Sequence, residues 1–250
     1  MMELRVCHLY PDLMNTYGDA GDMLTIRRRC EWRGIRVRIV EVSLGGPGDL
    51  SRCDILFIGG GQDRQQRLVA HDLMSYKAQD LSGAVESDAV VLAVCGGYQL
   101  LGRYYRLPTG EQLPGIGVLD AWTESGAVRL TGNIVVDAEF RGKRMTLVGF
   151  ENHSGRTYLG PRVRILGRVL RGSGNNGRDM GEGVVFRNVV GTYLHGPLLP
   201  RNPALCDELI KAAVARKYGK ASGLCALPPL DDRLEEQARD EALAHARVRL

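Results

Sequence analysis

The sequence has no pair of cysteines at C-x-x-C spacing and no zinc-ligand pattern, so we expect no metal site in this chain. Its cysteines are few and irregularly spaced, which favours a reducing, cytoplasmic setting. No apolar run approaches the ~20 residues that a membrane-spanning helix needs, and no signal-like segment opens the chain. We therefore expect a soluble protein. The six cysteines are Cys7, Cys30, Cys53, Cys95, Cys206 and Cys225.

A strong excess of one charge is also lacking. The 33 basic and 29 acidic residues are mixed along the chain and leave a net charge of +4. The densest basic cluster, Arg27 to Arg29 with Arg33, is interpreted as a solvated helix face. No nucleic-acid partner is therefore expected.

The 250 residues, 44% of them hydrophobic, are enough for a large core. In the first half, strand and helix patterns alternate, which predicts an α/β domain with a mostly parallel sheet; the second half is rich in strands and predicts an antiparallel extension. We expect one domain over 1–218 and a linker with a C-terminal helix over 219–250. Predicted strands cover 4–10, 35–42, 54–58, 89–94, 115–119, 129–138, 145–151, 163–169, 183–186 and 189–193; predicted helices cover 20–32, 67–81, 98–104, 203–218 and 233–250.

Cys95 follows a continuous apolar strand and precedes two glycines and a predicted helix. This order is typical of a nucleophile elbow, a sharp strand-to-helix turn that exposes a reactive side chain at the edge of a sheet. The small neighbours are Ala93 and Gly97, so the pattern is A-x-C-x-G rather than G-x-C-x-G. Other free cysteines are more often small buried hydrophobes, and we interpret the remaining five in that way.

His195 comes two residues after another apolar strand, predicted over 189–193. A thiol nucleophile needs an imidazole within hydrogen-bond reach, and functional groups of parallel sheets gather at the carboxyl ends of the strands. We therefore expect His195 to act with Cys95. A lone histidine at the end of a strand is otherwise more often structural.

Three consecutive glycines, 59–61, follow the strand over 54–58. Glycines let a loop backbone approach a ligand closely. We predict that Gly60, Gly61 and Gly96 offer backbone N–H groups to an oxyanion; an ordinary loop is the alternative.

Four segments together resemble the class I glutamine amidotransferases, in the branch that includes cobyric acid synthases. They are F-I-G-G-G-Q-D at 57–63, V-C-G-G-Y-Q at 94–99, F-E-N-H-S-G at 150–155 and T-Y-L-H-G-P at 192–197. The resemblance extends over roughly residues 4 to 218. It implies a flavodoxin-like α/β fold and hydrolysis of L-glutamine through a thioester at Cys95, with His195 transferring protons.

The resemblance also implies substrate-binding residues. Arg129, in V-R-L-T-G-N, matches a position that binds the substrate carboxylate, a task that suits a guanidinium group. Further candidates for the pocket lining are Tyr98, Gln99, Asn152 and His153.

One position departs from the family. Most class I amidotransferases place a glutamate two residues after the catalytic histidine, where this chain has Pro197. The acid that orients the imidazole must then be distant in this chain, absent or supplied by another protein. We hypothesise that a partner subunit contributes it.

A partner is expected for a second reason. The sequence has no G-x-x-x-x-G-K-[ST] loop, and its G-x-G-x-x-G at 172–177 has no following helix and is interpreted as a hairpin loop. The resemblance is strongest to glutaminase subunits that form heterodimers with an ATP-using, Mur-ligase-like subunit. That partner would carry ATP and Mg²⁺ and amidate D-glutamate of a membrane-bound peptidoglycan precursor, so this chain would need no cofactor. A corrinoid carboxylate as acceptor, or a catalytically silent scaffold, are the alternatives.

Overall fold

A computed structural model describes residues 2–219 and 227–246. The strands are β1 (Glu3–Leu9), β2 (Arg36–Val42), β3 (Ile55–Ile58), β4 (Val90–Val94), β5 (Tyr104–Arg106), β6 (Gln112–Pro114), β7 (Ala121–Phe140), β8 (Lys143–Leu159), β9 (Gly167–Arg171), β10 (Gly181–Glu182), β11 (Val184–Phe186) and β12 (Val189–Thr192). The helices are α1 (Ala20–Glu31), α2 (Asp63–Asp72), α3 (Ala78–Glu86), α4 (Gly96–Leu101), α5 (Leu198–Arg201), α6 (Pro203–Tyr218) and α7 (Arg233–His245). Short 3₁₀ turns cover Thr16–Gly18 and Leu50–Arg52, and a π-helical turn, Leu73–Lys77, joins α2 to α3.

The first sheet has the strand order β11-β12-β4-β3-β1-β2 and is parallel except for the edge pair β11 and β12. Every residue of β3 and β4 is buried, because apolar side chains cover both faces of the sheet. Two separate apolar clusters contain the two faces of these strands. The predicted parallel α/β core is therefore confirmed.

The second sheet has the order β10-β9-β7-β5-β6, with β8 paired to β7. Its main feature is the long antiparallel hairpin of β7 and β8. The predicted antiparallel extension is thus confirmed. The two sheets meet where Phe150 of β8 exchanges two backbone hydrogen bonds with His195, at N···O distances of 2.8 and 3.2 Å.

Two predicted elements around α4 were wrong. The helix after Cys95 ends at Leu101, and Tyr104 begins β5 instead of closing the helix. Residues 115–119 do not form a strand. Their N–H groups donate to backbone carbonyls at 100–103, so this segment wraps the end of α4 rather than pairing with a strand.

The C-terminal helix was predicted to reach residue 250, and α7 covers Arg233–His245; residues 247–250 lie outside the described residues. Cys225 and much of the predicted linker also lie outside them. The division of the chain at 218/219 stays a prediction. No helix within residues 2–219 and 227–246 is both long and apolar enough to span a membrane.

The expected solvated arginine face was wrong for two of its members. The side chains of Arg29 and Arg33 are only 2% and 1% exposed. Both donate to Asp207 of α6, and Arg29 also forms a double hydrogen bond with Asp232 at the start of α7. Buried charges require such partners, and here they fasten α1 to α6 and to the C-terminal segment.

Replacing Asp207 with asparagine should lower the free energy of unfolding by about 3 kcal/mol, because two buried guanidinium groups lose their shared carboxylate. Denaturant unfolding of wild type and Asp207→Asn measures this difference. The matched control is Asp231→Asn, which removes a 64% exposed carboxylate whose one ion-pair partner within residues 2–219 and 227–246 is Arg233, and which should have little effect. Equal losses in both variants would contradict a specific role for the buried pairs.

Candidate active site

Cys95 occupies the turn between β4 and α4 in a strained backbone conformation, with φ 49° and ψ −103°. A non-glycine residue at positive φ is uncommon, and here the surroundings hold it in place. The N–H of Cys95 donates to the carbonyl of Thr192 at 2.8 Å. A Cβ at Gly97 would lie 2.5 Å from the carbonyl oxygen of Ile58, so only glycine fits there. The predicted elbow is present.

His195 follows β12, the strand that lies beside β4 in parallel register. The carboxyl ends of these two strands share one edge of the sheet, which brings Cys95 and His195 to the same cavity. The buried side chain of Glu182 holds the residues that lead to His195. One of its oxygens accepts hydrogen bonds from Thr192 Oγ1 at 2.7 Å and from the N–H of Tyr193 at 2.8 Å.

This cavity has a volume of about 450 Å³, within the range of small-molecule sites. Cys95 and His195 lie on its wall together with Arg129, Gln99 and residues of the glycine loop. Within the described residues, no cluster of three or more His, Cys, Asp or Glu side chains has the geometry of a metal site.

Asp19 is the residue that sequence reasoning missed. Its Oδ1 accepts a hydrogen bond from Nδ1 of His195 at 3.1 Å, and both side chains are fully buried. The hypothesis that a partner supplies the orienting acid is thereby corrected, since a carboxylate of this chain already occupies that position. Burial lowers the pKa of His195, but the electrostatic interaction with Cys95 and the hydrogen bond to Asp19 outweigh burial and raise this pKa to about 10.

Asp19 is 176 residues away from His195 in sequence, so no short motif joins them. It lies at the start of α1, in the loop after β1, where loops at the carboxyl edge of a parallel sheet often carry functional groups. The position of Asp19 in this loop was the one feature of the sequence that could have identified it as a functional residue. Pro197 packs closely on α1: a Cβ at Gly21 would lie 2.5 Å from its Cγ. The proline therefore lies against the helix that presents Asp19.

A second carboxyl group lies close to this pair. Asp22 is fully buried, and its Oδ1 accepts the N–H of Leu199 at 2.7 Å while Oδ2 has no hydrogen-bond partner among the described residues. Burial raises the pKa of Asp22 to about 8. Asp22 is therefore mostly neutral at pH 7, which spares the buried Asp19 carboxylate a second negative charge nearby.

The three glycines predicted to donate to an oxyanion differ in whether their N–H groups already have an acceptor. The N–H of Gly60 donates to Oδ2 of Asp19 at 2.7 Å and is already engaged. A Cβ at Gly96 would lie 3.0 Å from the nitrogen of Gly61, so these two backbones are adjacent. Neither Gly61 nor Gly96 donates a backbone hydrogen bond within the described part of the chain. The geometry favours these two N–H groups for an oxyanion.

Arg129 lies on β7 beside the cavity, next to a register shift between Ser125 and Leu130. Its guanidinium donates to the side-chain and backbone oxygens of Asn152 on β8. The amide nitrogen of Asn152 donates in turn to the hydroxyl of Tyr17, whose ring meets the His195 ring edge-on at 5.0 Å between centroids. Tyr17, another residue that the sequence did not single out, thus connects the two sides of the cavity mouth.

The other predicted lining residues divide into two groups. Gln99 and His153 line the cavity, and both contact Tyr193: Gln99 Nε2 donates to its hydroxyl at 3.0 Å, and the His153 ring stacks on it at 3.6 Å. Tyr98 lies outside the lining. Its ring is buried against Tyr193 and against Gly191, where a Cβ would come within 2.5 Å of it. The functional roles of these residues stay predictions.

Comparison with known proteins identifies similar chains. The sequence profile of the CobB/CobQ-like glutamine amidotransferase domain matches residues 5–203. Subunit GatD of the glutamine-hydrolysing lipid II isoglutaminyl synthase from Staphylococcus aureus (strain N315) is 44% identical over 217 residues, 87% of each chain. The subunit of the same name from Streptococcus pneumoniae (strain ATCC BAA-255 / R6) is 41% identical over 96% of this chain and 90% of its own length.

Solved structures agree on the fold. The crystal structure of a glutamine amidotransferase superposes with a TM-score of 0.54 at 19% identity, covering 83% of this chain and 98% of the other. At this identity the likeness speaks for the fold alone, and it confirms the flavodoxin-like arrangement expected from the sequence.

Replacing Asp19 with asparagine should slow alkylation of Cys95 by iodoacetamide by about tenfold or more, because the imidazolium beside the thiolate loses a charge-assisted hydrogen bond. Mass spectrometry of the labelled cysteine measures the rate. Asp63→Asn is the control, since Asp63 lines the same cavity without contacting His195. If the two variants react equally fast, Asp19 does not support the pair.

Proposed function

This chain belongs to the CobB/CobQ-like glutamine amidotransferase family, and we propose that it hydrolyses L-glutamine at Cys95 as the glutaminase subunit of a lipid II isoglutaminyl synthase. The observation that carries the catalytic part is the cavity shared by Cys95 and His195, with Asp19 behind the imidazole. The assembly part rests on the two relatives that match most of this chain.

In the first half of the reaction, the Cys95 thiolate attacks the side-chain amide carbon of glutamine and a tetrahedral oxyanion forms. The N–H groups of Gly61 and Gly96 are placed to bind that oxygen. His195, held as an imidazolium by Asp19, gives its proton to the amide nitrogen. The C–N bond breaks, ammonia leaves, and a glutamyl thioester remains on Cys95.

In the second half, a water molecule attacks the thioester carbon, and the neutral His195 takes a proton from that water. The new tetrahedral intermediate collapses with loss of the thiolate. Glutamate leaves, and the thiolate and imidazolium are restored. Each proton that His195 gives in the first half is thus recovered in the second.

Arg129 is assigned to the substrate carboxylate. Its guanidinium lies at the cavity, and its bonds to Asn152 fix one edge of the group while leaving donors for a ligand. Gln99 Oε1 and His153 Nε2 are buried and have no hydrogen-bond partner in the described residues, although Nε2 lies 3.9 Å from a carboxylate oxygen of Glu151. We assign both atoms to contacts with the polar groups of glutamine.

The ammonia would pass to a partner subunit. We propose a Mur-ligase-like subunit that binds ATP and Mg²⁺ and amidates D-glutamate of the lipid-linked stem peptide. The names of the two relatives support lipid II as the acceptor and the presence of a further subunit, since each relative is named as one subunit of a lipid II isoglutaminyl synthase. The five cysteines within the described residues are free thiols, which supports a reducing, cytoplasmic site for the reaction.

Replacing Cys95 with alanine should abolish release of glutamate from glutamine, since neither the thiolate nor the thioester can form. A coupled glutamate assay measures turnover, and trapping with a glutamine-like diazoketone should label wild type at Cys95 alone. Cys206→Ala is the control, because Cys206 is buried outside the cavity and should leave turnover intact. Turnover that survives in Cys95→Ala would contradict the assignment.

The acceptor is tested separately with the purified two-subunit complex, ATP and lipid II. Amidated lipid II, detected by mass spectrometry, is the expected product. If the complex hydrolyses glutamine but does not amidate lipid II, the catalytic assignment stands and lipid II is rejected as the acceptor. A corrinoid carboxylate would then be the acceptor to test.

A further inference from the structure

A second cavity, of about 840 Å³, lies well away from Cys95 and His195. Basic side chains from four separate segments line it: the β7–β8 turn, the segment before β9, the β11–β12 turn and the end of α6. These side chains are Arg141, Arg162, Arg164, Arg187 and Arg216.

Three of the five arginines have a carboxylate partner: Arg187 pairs with Asp88 at 3.0 Å, Arg162 with Asp120 at 3.3 Å and Arg216 with Asp54 at 3.8 Å. Asp88 is the one acid among the described lining residues. The positive charge that is left comes from Arg141 and Arg164. Arg141 donates to the side-chain oxygen of Asn188 at 2.9 Å, and Arg164 donates to the carbonyl of Glu139 at 3.1 Å; neither has a carboxylate partner within the described residues. Neutral oxygens orient these guanidinium groups without cancelling their charge.

The cavity lies at the edge of the first sheet opposite to the active site. Its lining includes Ser87, Asp88 and Asn188, which directly precede β4 and β12, whereas Cys95 and His195 follow the same strands. The strand between the two sites, β4, has five residues and spans about 16 Å at ~3.3 Å per residue. The glutamine site therefore cannot explain the five arginines.

We propose that the arginine cavity binds a ligand with a diphosphate group. Guanidinium groups recognise phosphate oxygens through paired N–H donors, and several groups that converge on one cavity suit an anion of more than one charge. A single carboxylate would match only one of the two arginines, Arg141 and Arg164, that have no carboxylate partner within the described residues. The concave shape favours a compact group over an extended acidic chain, which would need a long groove.

Isothermal titration of the full chain with inorganic pyrophosphate, without Mg²⁺, tests the proposal. Wild type should show saturable binding at one site, and the affinity should fall as salt is raised. The double variant Arg141→Gln with Arg164→Gln should bind at least about tenfold more weakly, because two charge-assisted contacts are lost. Both arginines are exposed and neither pairs with an acid in the part of the chain that the structure describes, so the variant should fold and retain the wild-type glutaminase rate.

The matched control is Arg38→Gln with Arg168→Gln, which removes the same charge from exposed positions outside the cavity. Its affinity for pyrophosphate should stay within about twofold of wild type. Equal weakening of both double variants would overturn the proposal, since the binding would then follow net charge alone. Absence of saturable binding by wild type would overturn it as well.

Two further probes identify the source of the group. Phosphatidylcholine vesicles that carry a polyprenyl diphosphate should sediment wild type but not Arg141→Gln with Arg164→Gln if the ligand is a lipid headgroup. If wild type binds pyrophosphate but not the vesicles, the ligand is a soluble diphosphate. Both outcomes support a diphosphate site in the arginine cavity. A hexaglutamate peptide that binds through the same arginines as tightly as pyrophosphate would overturn the proposal in favour of an acidic protein segment.

Discussion

One buried carboxylate, that of Asp19, holds the imidazole and the glycine loop in a fixed relation. Its Oδ1 bonds to His195 and its Oδ2 bonds to the N–H of Gly60. A Cβ at Gly60 would lie 2.8 Å from Cε1 of His195, so the loop and the ring are in contact as well as bridged. The carboxylate therefore sets the orientation of His195 and the position of the loop, in which the nitrogen of Gly61 lies beside Gly96.

The sheet makes this arrangement possible. β12 and β4 are parallel neighbours, so the residues that follow them emerge at one edge, and the N–H of Cys95 is bonded to the strand that leads to His195. The strained turn at Cys95 is held by close contacts that exclude any side chain at Gly97. The strain is thus supported by the best-buried part of the molecule, where β3 and β4 have apolar side chains on both faces.

Much of the fold and of the active site could be predicted from the sequence, because these parts depend on the order of apolar residues and glycines along short segments. The apolar runs before Cys95 and His195 predicted two strand ends at one edge of the sheet, and the glycines predicted a loop whose backbone can approach a ligand closely. The segment at 115–119 was mistaken for a strand because its apolar alternation could not reveal that its N–H groups bond to the end of α4. Asp19, Tyr17 and the buried state of Arg29 were missed for a related reason: each depends on a partner far away in sequence.

The account is tested most directly by the protonation state of His195 in the free protein, followed by NMR of ¹⁵N-labelled histidine across pH. Burial opposes the charged ring, but the interactions with Cys95 and Asp19 raise the pKa of His195 to about 10. Because the raised pKa favours the protonated form, both ring nitrogens should remain protonated at neutral pH and the charge should be lost only as the pH rises through about 10. A His195 that titrates near 6.5, the ordinary histidine value, would contradict the thiolate–imidazolium pair supported by Asp19.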